Sequence, residues 1–197
     1  MQYDLVFEGG GAKGFVFVGA LQEFERRGHT IGRLLGTSAG AITATYLAGG
    51  FSPAEMLNAL KEKDETGKPI FNKFLGRPTP FTGEEIAKSA TRLALERLDL
   101  PYIPNFIEER LDRFILGLMS QDELVHFFSF IERGGWYSAD AFLEWARAKL
   151  DQAPPDGHSR RLSNLTFAEF YVRTRRELSL VAADTTDYRL LVLNHRT

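Results

Sequence analysis

Twice within its first fifty residues the sequence runs from a short apolar stretch through a glycine-framed turn into a helical pattern, and this repetition limits the folds open to it. The first pass is Tyr3-Asp4-Leu5-Val6-Phe7, then Gly9-Gly10-Gly11-Ala12-Lys13-Gly14, then a helix over 15–27 that stops at Gly28, a natural left-handed cap. The second is a strand over 31–35, the turn Gly36-Thr37-Ser38-Ala39-Gly40, and a helix over 41–48 that ends at Gly49-Gly50. Consecutive strand–helix units require parallel strands with right-handed crossovers, because each helix carries the chain back to the edge of the sheet where the strand began. The expected class is α/β, and both glycine motifs fall at the carboxyl ends of the strands, where sites in such sheets collect.

Composition narrows the function classes. With 197 residues and 44% of them hydrophobic, the chain is expected to form one domain around a sizeable core. A formal net charge of -2 gives no basic footprint for nucleic acid. The absence of cysteine removes disulfides, thiol catalysis and thiolate metal sites together. The longest apolar stretch, residues 114–131, is broken by Gln121, Asp122, Glu123 and His126, so it does not read as a continuous span. No signal-peptide pattern precedes the first strand, and the expected location is cytoplasmic, with peripheral membrane contact left open.

Downstream, Ser52-Pro53-Ala54-Glu55 and Thr82-Gly83-Glu84-Glu85 have the form of capping boxes, opening helices to about Lys63 and about Leu98. Between them, residues 64–81 read as an irregular loop whose Phe71, Phe74 and Phe81 pack it onto the core. Residues 101–136 read as helical, with apolar side chains on more than one face, which suits either buried helices or a lid that meets lipid. The whole stretch 64–136 is therefore expected to be a helical insertion or lid. Ser138 caps a helix to about Leu150, Thr166 starts a short one, and residues 178–183 and 190–193 read as two strands around a polar turn.

Two motifs carry chemistry. The run Gly9-x-Gly11-x-x-Gly14 also fits a dinucleotide fingerprint, but that site needs an acidic residue after the second strand, where this chain has Gly36-Thr37-Ser38. A phosphate-binding P-loop fails as well, since Phe15-Val16 stand where lysine and Ser/Thr are required. The Gly36-x-Ser38-x-Gly40 pattern suits a nucleophile elbow, with the N-terminus of the next helix favouring a developing alkoxide. Its plain alternative is a strand-to-helix turn with Ser38 as N-cap. Backbone N–H groups in the glycine loop are then an oxyanion hole for an ester carbonyl.

On these residues the chain resembles the patatin-like phospholipases. Residues 9–14 and 36–40 match that family in type, order and spacing, and the likeness continues through Thr166-Phe167-Ala168-Glu169 and Val181-Ala182-Ala183-Asp184-Thr185-Thr186. The resemblance implies a three-layer α/β sandwich with a mainly parallel central sheet, and a serine–aspartate dyad that cleaves lipid acyl esters without a cofactor. It implies Ser38 as nucleophile, Gly9, Gly10, Gly11 and Ala39 as oxyanion donors, and Lys13 and Gly14 beside a lipid or phospholipid substrate. Lys13 is equally read as a solvated turn lysine, and Glu8 as a brace for the loop. The family's aspartate lies in an Asp-Gly segment beyond the last strand pair; the only Asp-Gly here, Asp156-Gly157, comes too early, so the fold is expected to be incomplete at the C-terminus. Asp184 is the substitute base, or else it ends a strand and caps a turn. A triad of Ser38, Asp184 and His195 follows one known chain order. His29, His126 and His158 share no ligand spacing. A regulatory or lipid-binding module without turnover is the competing reading.

Overall fold

The computed structural model describes residues 1–97, 108–122, 124–152, 157 and 159–197. The expected helical residues 101–107, together with Leu98, Asp156 and His158, lie outside the described residues. In chain order the elements are β1 (Gln2–Phe7), α1 (Phe15–Arg26), β2 (Thr30–Thr37), α2 (Ala39–Ala48), α3 (Pro53–Leu60), α4 (Gly83–Ala87), α5 (Ala90–Arg97), α6 (Glu108–Met119), α7 (Val125–Arg133), α8 (Asp140–Asp151), α9 (Phe167–Thr174), β3 (Leu178–Asp184) and β4 (Arg189–Asn194). They group into two compact units, Met1–Ile70 with Leu143–Thr197, and Phe71–Phe142.

The first unit holds the sheet, in the order β1-β2-β3-β4. β1 and β3 run parallel to β2, and β4 returns antiparallel to β3, so the class is α/β with a mostly parallel sheet. β2 is longer than its apolar stretch because it is paired on both sides: Gly36 is level with Phe7 and Leu180, and Thr37 with Val181. α2 is buried on most of its circumference, through Thr43, Ala44, Tyr46, Leu47 and Ala48. Helices of that kind lie inside a protein rather than on its surface. Phe7, Leu34 and Leu178 from the strands meet Val18, Leu21, Met56 and Phe170 from the helices in one core. That core holds the carboxyl ends of β1 and β2 in place under the two glycine turns.

The second unit packs Phe81, Ile86, Ile115, Met119 and Phe128 into a separate small core. The helix expected from Thr82 to about Leu98 is two helices, α4 and α5, broken at Ser89. The physical reason is a competing cap: Ser89 Oγ accepts from the Arg92 N–H at 3.0 Å, while Glu132 accepts from the N–H groups of Ala90 and Thr91 at 2.8 and 2.9 Å. The apolar run over α6 and α7 is neither wholly buried nor wholly a cover. Ile115, Met119, Val125 and Phe128 point inward, whereas Phe114, Phe127, Phe130 and Ile131 are exposed.

Candidate active site

Strand register alone brings the two glycine motifs together. Phe7 pairs with Gly36, so the chain leaving β1 at Glu8-Gly9 and the chain leaving β2 at Thr37-Ser38 emerge side by side. Side chains at the framing positions would not fit. A Cβ on Gly40 would lie 2.2 Å from the Phe7 carbonyl oxygen, and one on Gly36 2.3 Å from that of Gly40. A Cβ on Gly9 would stand 3.2 Å from Ser38 Cβ, and one on Gly14 3.2 Å from Ala39 Cβ. The glycine loop thus lies directly against the Ser38 turn. What the sequence reading missed is the carbonyl of Phe7, the group that Gly40 clears; the paired glycines at 36 and 40 were its only signal.

Ser38 takes φ 50, ψ -124, a conformation that L-residues seldom adopt and that concentrates at functional sites. The turn therefore stores strain. An ordinary N-cap has extended backbone and a side chain that accepts from the following N–H groups, and Ser38 does neither. Its side chain is exposed and has no hydrogen-bond partner among the described residues. Gly11, at φ 54, starts a 3₁₀ turn through Gly14. Among the described residues no group accepts from the N–H of Gly9, Gly10, Gly11 or Ala39, and Ala39 opens α2 with its dipole directed at Ser38. The Lys13 side chain lies outside the described residues. Glu8 is exposed and makes no hydrogen bond or ion pair among them, so the expected brace is not made.

Asp184 ends β3, three residues beyond the Val181 that pairs with Thr37, or about 10 Å further along the strand. Its carboxylate is engaged locally. Oδ1 accepts from the N–H groups of Thr186 and Asp187 at 3.1 and 3.2 Å, and Oδ2 accepts from Arg189 at 3.1 Å. The Asp187 N–H first, then Arg189, hold its carboxyl below the ordinary range against the opposing effect of desolvation. That is the geometry of a turn cap, and no hydrogen bond joins it to Ser38.

His195 is corrected outright. Asn194 pairs with Ser179 and Ser179 with Leu35, so the residue after Asn194 emerges at the amino ends of the parallel strands. It therefore lies about 13 Å down the strands from Ser38 and two strands across. There its ring stacks on Tyr171 with centroids 4.2 Å apart. His29 meets Tyr3 and Phe24 edge-on, and His126 Nδ1 lies 2.7 Å from the Trp136 carbonyl oxygen. Among the described residues no three His, Asp or Glu side chains converge as metal ligands would. Nor is any helix among them long and apolar enough to cross a membrane.

Comparison with known proteins adds the family. The sequence profile described as Patatin-like phospholipase matches residues 5–196. A 64-residue stretch is 42% identical to the uncharacterized protein YqhO of Bacillus subtilis, covering 32% of this chain and 22% of that one. Among solved structures, VipD from Legionella pneumophila is similar at 18% identity and TM-score 0.42, over 98% of this chain and 39% of VipD. A complex of ExoU with SpcU from the type III secretion system of Pseudomonas aeruginosa is similar at 24% identity and TM-score 0.41, over 99% of this chain and 35% of the matched one. The matched stretches therefore cover well under half the length of each relative.

Proposed function

This chain belongs to the patatin-like phospholipase family, and on that premise we propose that it is a serine acyl hydrolase of lipid esters with Ser38 as its nucleophile. The observation that carries the reading is the exposed, strained Ser38 set against a glycine loop with unengaged N–H groups. Ser38 Oγ attacks the ester carbonyl carbon, and the displaced electron pair settles on the carbonyl oxygen. The N–H groups of Gly9, Gly10, Gly11 and Ala39 hold that oxyanion. The proton lost from Ser38 passes to the leaving oxygen as the intermediate collapses, which expels the alcohol and leaves an acyl-Ser38 that water then hydrolyses. Lys13 and Gly14 border the substrate, and Lys13 is the cation suited to a lipid phosphate. A lipid surface is the partner this chemistry implies; Phe114, Phe127, Phe130 and Ile131 are exposed apolar side chains available to it.

Proton removal from Ser38 is the weak link. Asp184 is a base for it only after releasing Arg189 and its own turn, and a carboxyl held below its ordinary range is a poorer base. This supports the second reading, a lipid-binding module of the same family without efficient turnover. A fluorophosphonate probe and a short-chain p-nitrophenyl ester separate the two. Labelling and hydrolysis by the 197-residue chain, lost by about a thousandfold or more in Ser38→Ala, would establish the hydrolase. If Asp184→Asn keeps the labelling, Asp184 is a turn residue; if it loses labelling while folded, Asp184 is the base. A folded chain that neither labels nor turns over sinks the enzymatic reading for this stretch and leaves the binding module.

A further inference from the structure

We infer that a cleft at the opposite end of α2 from Ser38, lined by Gly49, Gly50, Ser159, Arg160, Arg173 and Arg176, binds a phosphate dianion or a phosphate monoester. The cleft is open to solvent with a volume of about 370 Å³, and among the described residues no carboxylate lines it. That volume is in the range of small-ligand pockets. Its arginines fall into two kinds. Arg160 is a fixed wall: it donates to Glu55 at 2.9 Å, Gly50 O at 3.3 Å and Gln152 O at 3.1 Å, and its guanidinium lies 3.8 Å above the Phe51 ring. Glu55 balances its charge. Arg173 and Arg176 have no carboxylate partner among the described residues, although Arg176 is half-buried. Two guanidinium groups that make no ion pair among the described residues and face one concavity repel each other, and an anion between them lowers that cost.

The backbone supplies an independent observation. Arg175 takes φ 57 and Arg161 φ 50, left-handed positions that glycine or asparagine ordinarily fill. Arg175 reverses the chain after α9 so that residues on both sides of it, Arg173 and Arg176, reach the same cleft. Arg161 follows the fixed Arg160. The neighbouring cleft shares Thr174 and Arg176 and includes Asp4, Glu25 and Glu177 among its lining residues, so Arg176 stands between an acidic cleft and the basic one.

Phosphate fits better than carboxylate. The Ser159 hydroxyl donates to the Asp151 carbonyl, so the donors are the guanidinium forks of Arg173 and Arg176, and they offer more N–H groups than the two oxygens of a carboxylate take up. The same chemistry comes from a soluble phosphate ester or from a lipid headgroup. α2 has ten residues, which puts the cleft about 15 Å from the nucleophile along that helix, so occupancy does not require the ester site.

The test is calorimetric titration of the whole chain with inorganic phosphate and then glycerol 3-phosphate, beside flotation of Ser38→Ala with phosphatidylcholine vesicles with and without phosphatidic acid. Saturable binding is expected, weakened about tenfold or more in Arg173→Gln/Arg176→Gln and unchanged in Ser38→Ala and in Arg147→Gln, a surface control. Binding of the free esters alone identifies a soluble ligand; flotation that needs phosphatidic acid and is lost in the double variant identifies a headgroup. Both support the site. The absence of any saturable phosphate or phosphatidic acid binding by the folded chain overturns it, and so does equal weakening in Arg147→Gln. Should the double variant fail to fold, the exposed Arg173→Gln alone carries the comparison.

Discussion

At Ser38 the strained backbone is held by what its neighbours lack. A methyl group on Gly40 would meet the Phe7 carbonyl oxygen at 2.2 Å, and because both are main chain at a packed strand end, neither can turn aside. Gly40→Ala is therefore expected to cost about 3 kcal/mol and to abolish probe labelling at Ser38 even where the protein stays folded. Gly19, within α1, has nothing within 4 Å of its added Cβ. Gly19→Ala should raise stability by about 0.5–1 kcal/mol through helix propensity and leave labelling intact. Thermal melts of the two variants check both signs. Gly36, Ser38 and Gly40 were legible from spacing, since a tight strand-to-helix turn is written within five consecutive residues. The turn-cap reading of Asp184 was legible for the same reason, since its donors Thr186, Asp187 and Arg189 lie within five residues of it.

Helix ends show the same division among the elements. α3, α4 and α9 each start with a complete capping box, Ser52 with Glu55, Thr82 with Glu85 and Thr166 with Glu169, as the local pattern predicts. All three glutamates are held below their ordinary value of 4.5. For Glu55 desolvation opposes this, and the Ser52 N–H and Arg160 outweigh it; for Glu85 and Glu169 the N–H of the capping residue leads. A carboxylate with a depressed folded pKa contributes stability above its unfolded pKa and loses it as pH falls through the folded one. Stability should accordingly drop below about pH 4.5, and the triple variant Glu55→Gln/Glu85→Gln/Glu169→Gln should be less stable at pH 7 with a shallower acid slope. Denaturant melts between pH 7 and 3 test this. The break between α4 and α5 was illegible because its cap, Glu132, comes from 41 and 42 residues away.

For the whole molecule, the sheet ends in β1 and β4, and β4 is the exposed edge that matters. Leu190 is 69% and Val192 41% accessible, on a strand with no neighbour on one side among the described residues. Unpaired strand edges bearing apolar side chains pair with other chains. Val192→Lys is expected to suppress concentration-dependent association, seen by light scattering, while changing stability by no more than about 0.5 kcal/mol. By itself the sequence determined the two strand–glycine–helix units, the elbow at Ser38, the glycine loop and the capping boxes. Each depends on φ, hydrogen bonds and side-chain period within a few residues. Only the tertiary structure decided which edge of the sheet each distant residue reaches. The antiparallel return of β4 carries His195 away from Ser38, and the turn after α9 brings Arg173 and Arg176 to the cleft that Arg160 lines. Those outcomes depend on strand direction and register, which arise from burying one common core and which no short stretch of the chain contains.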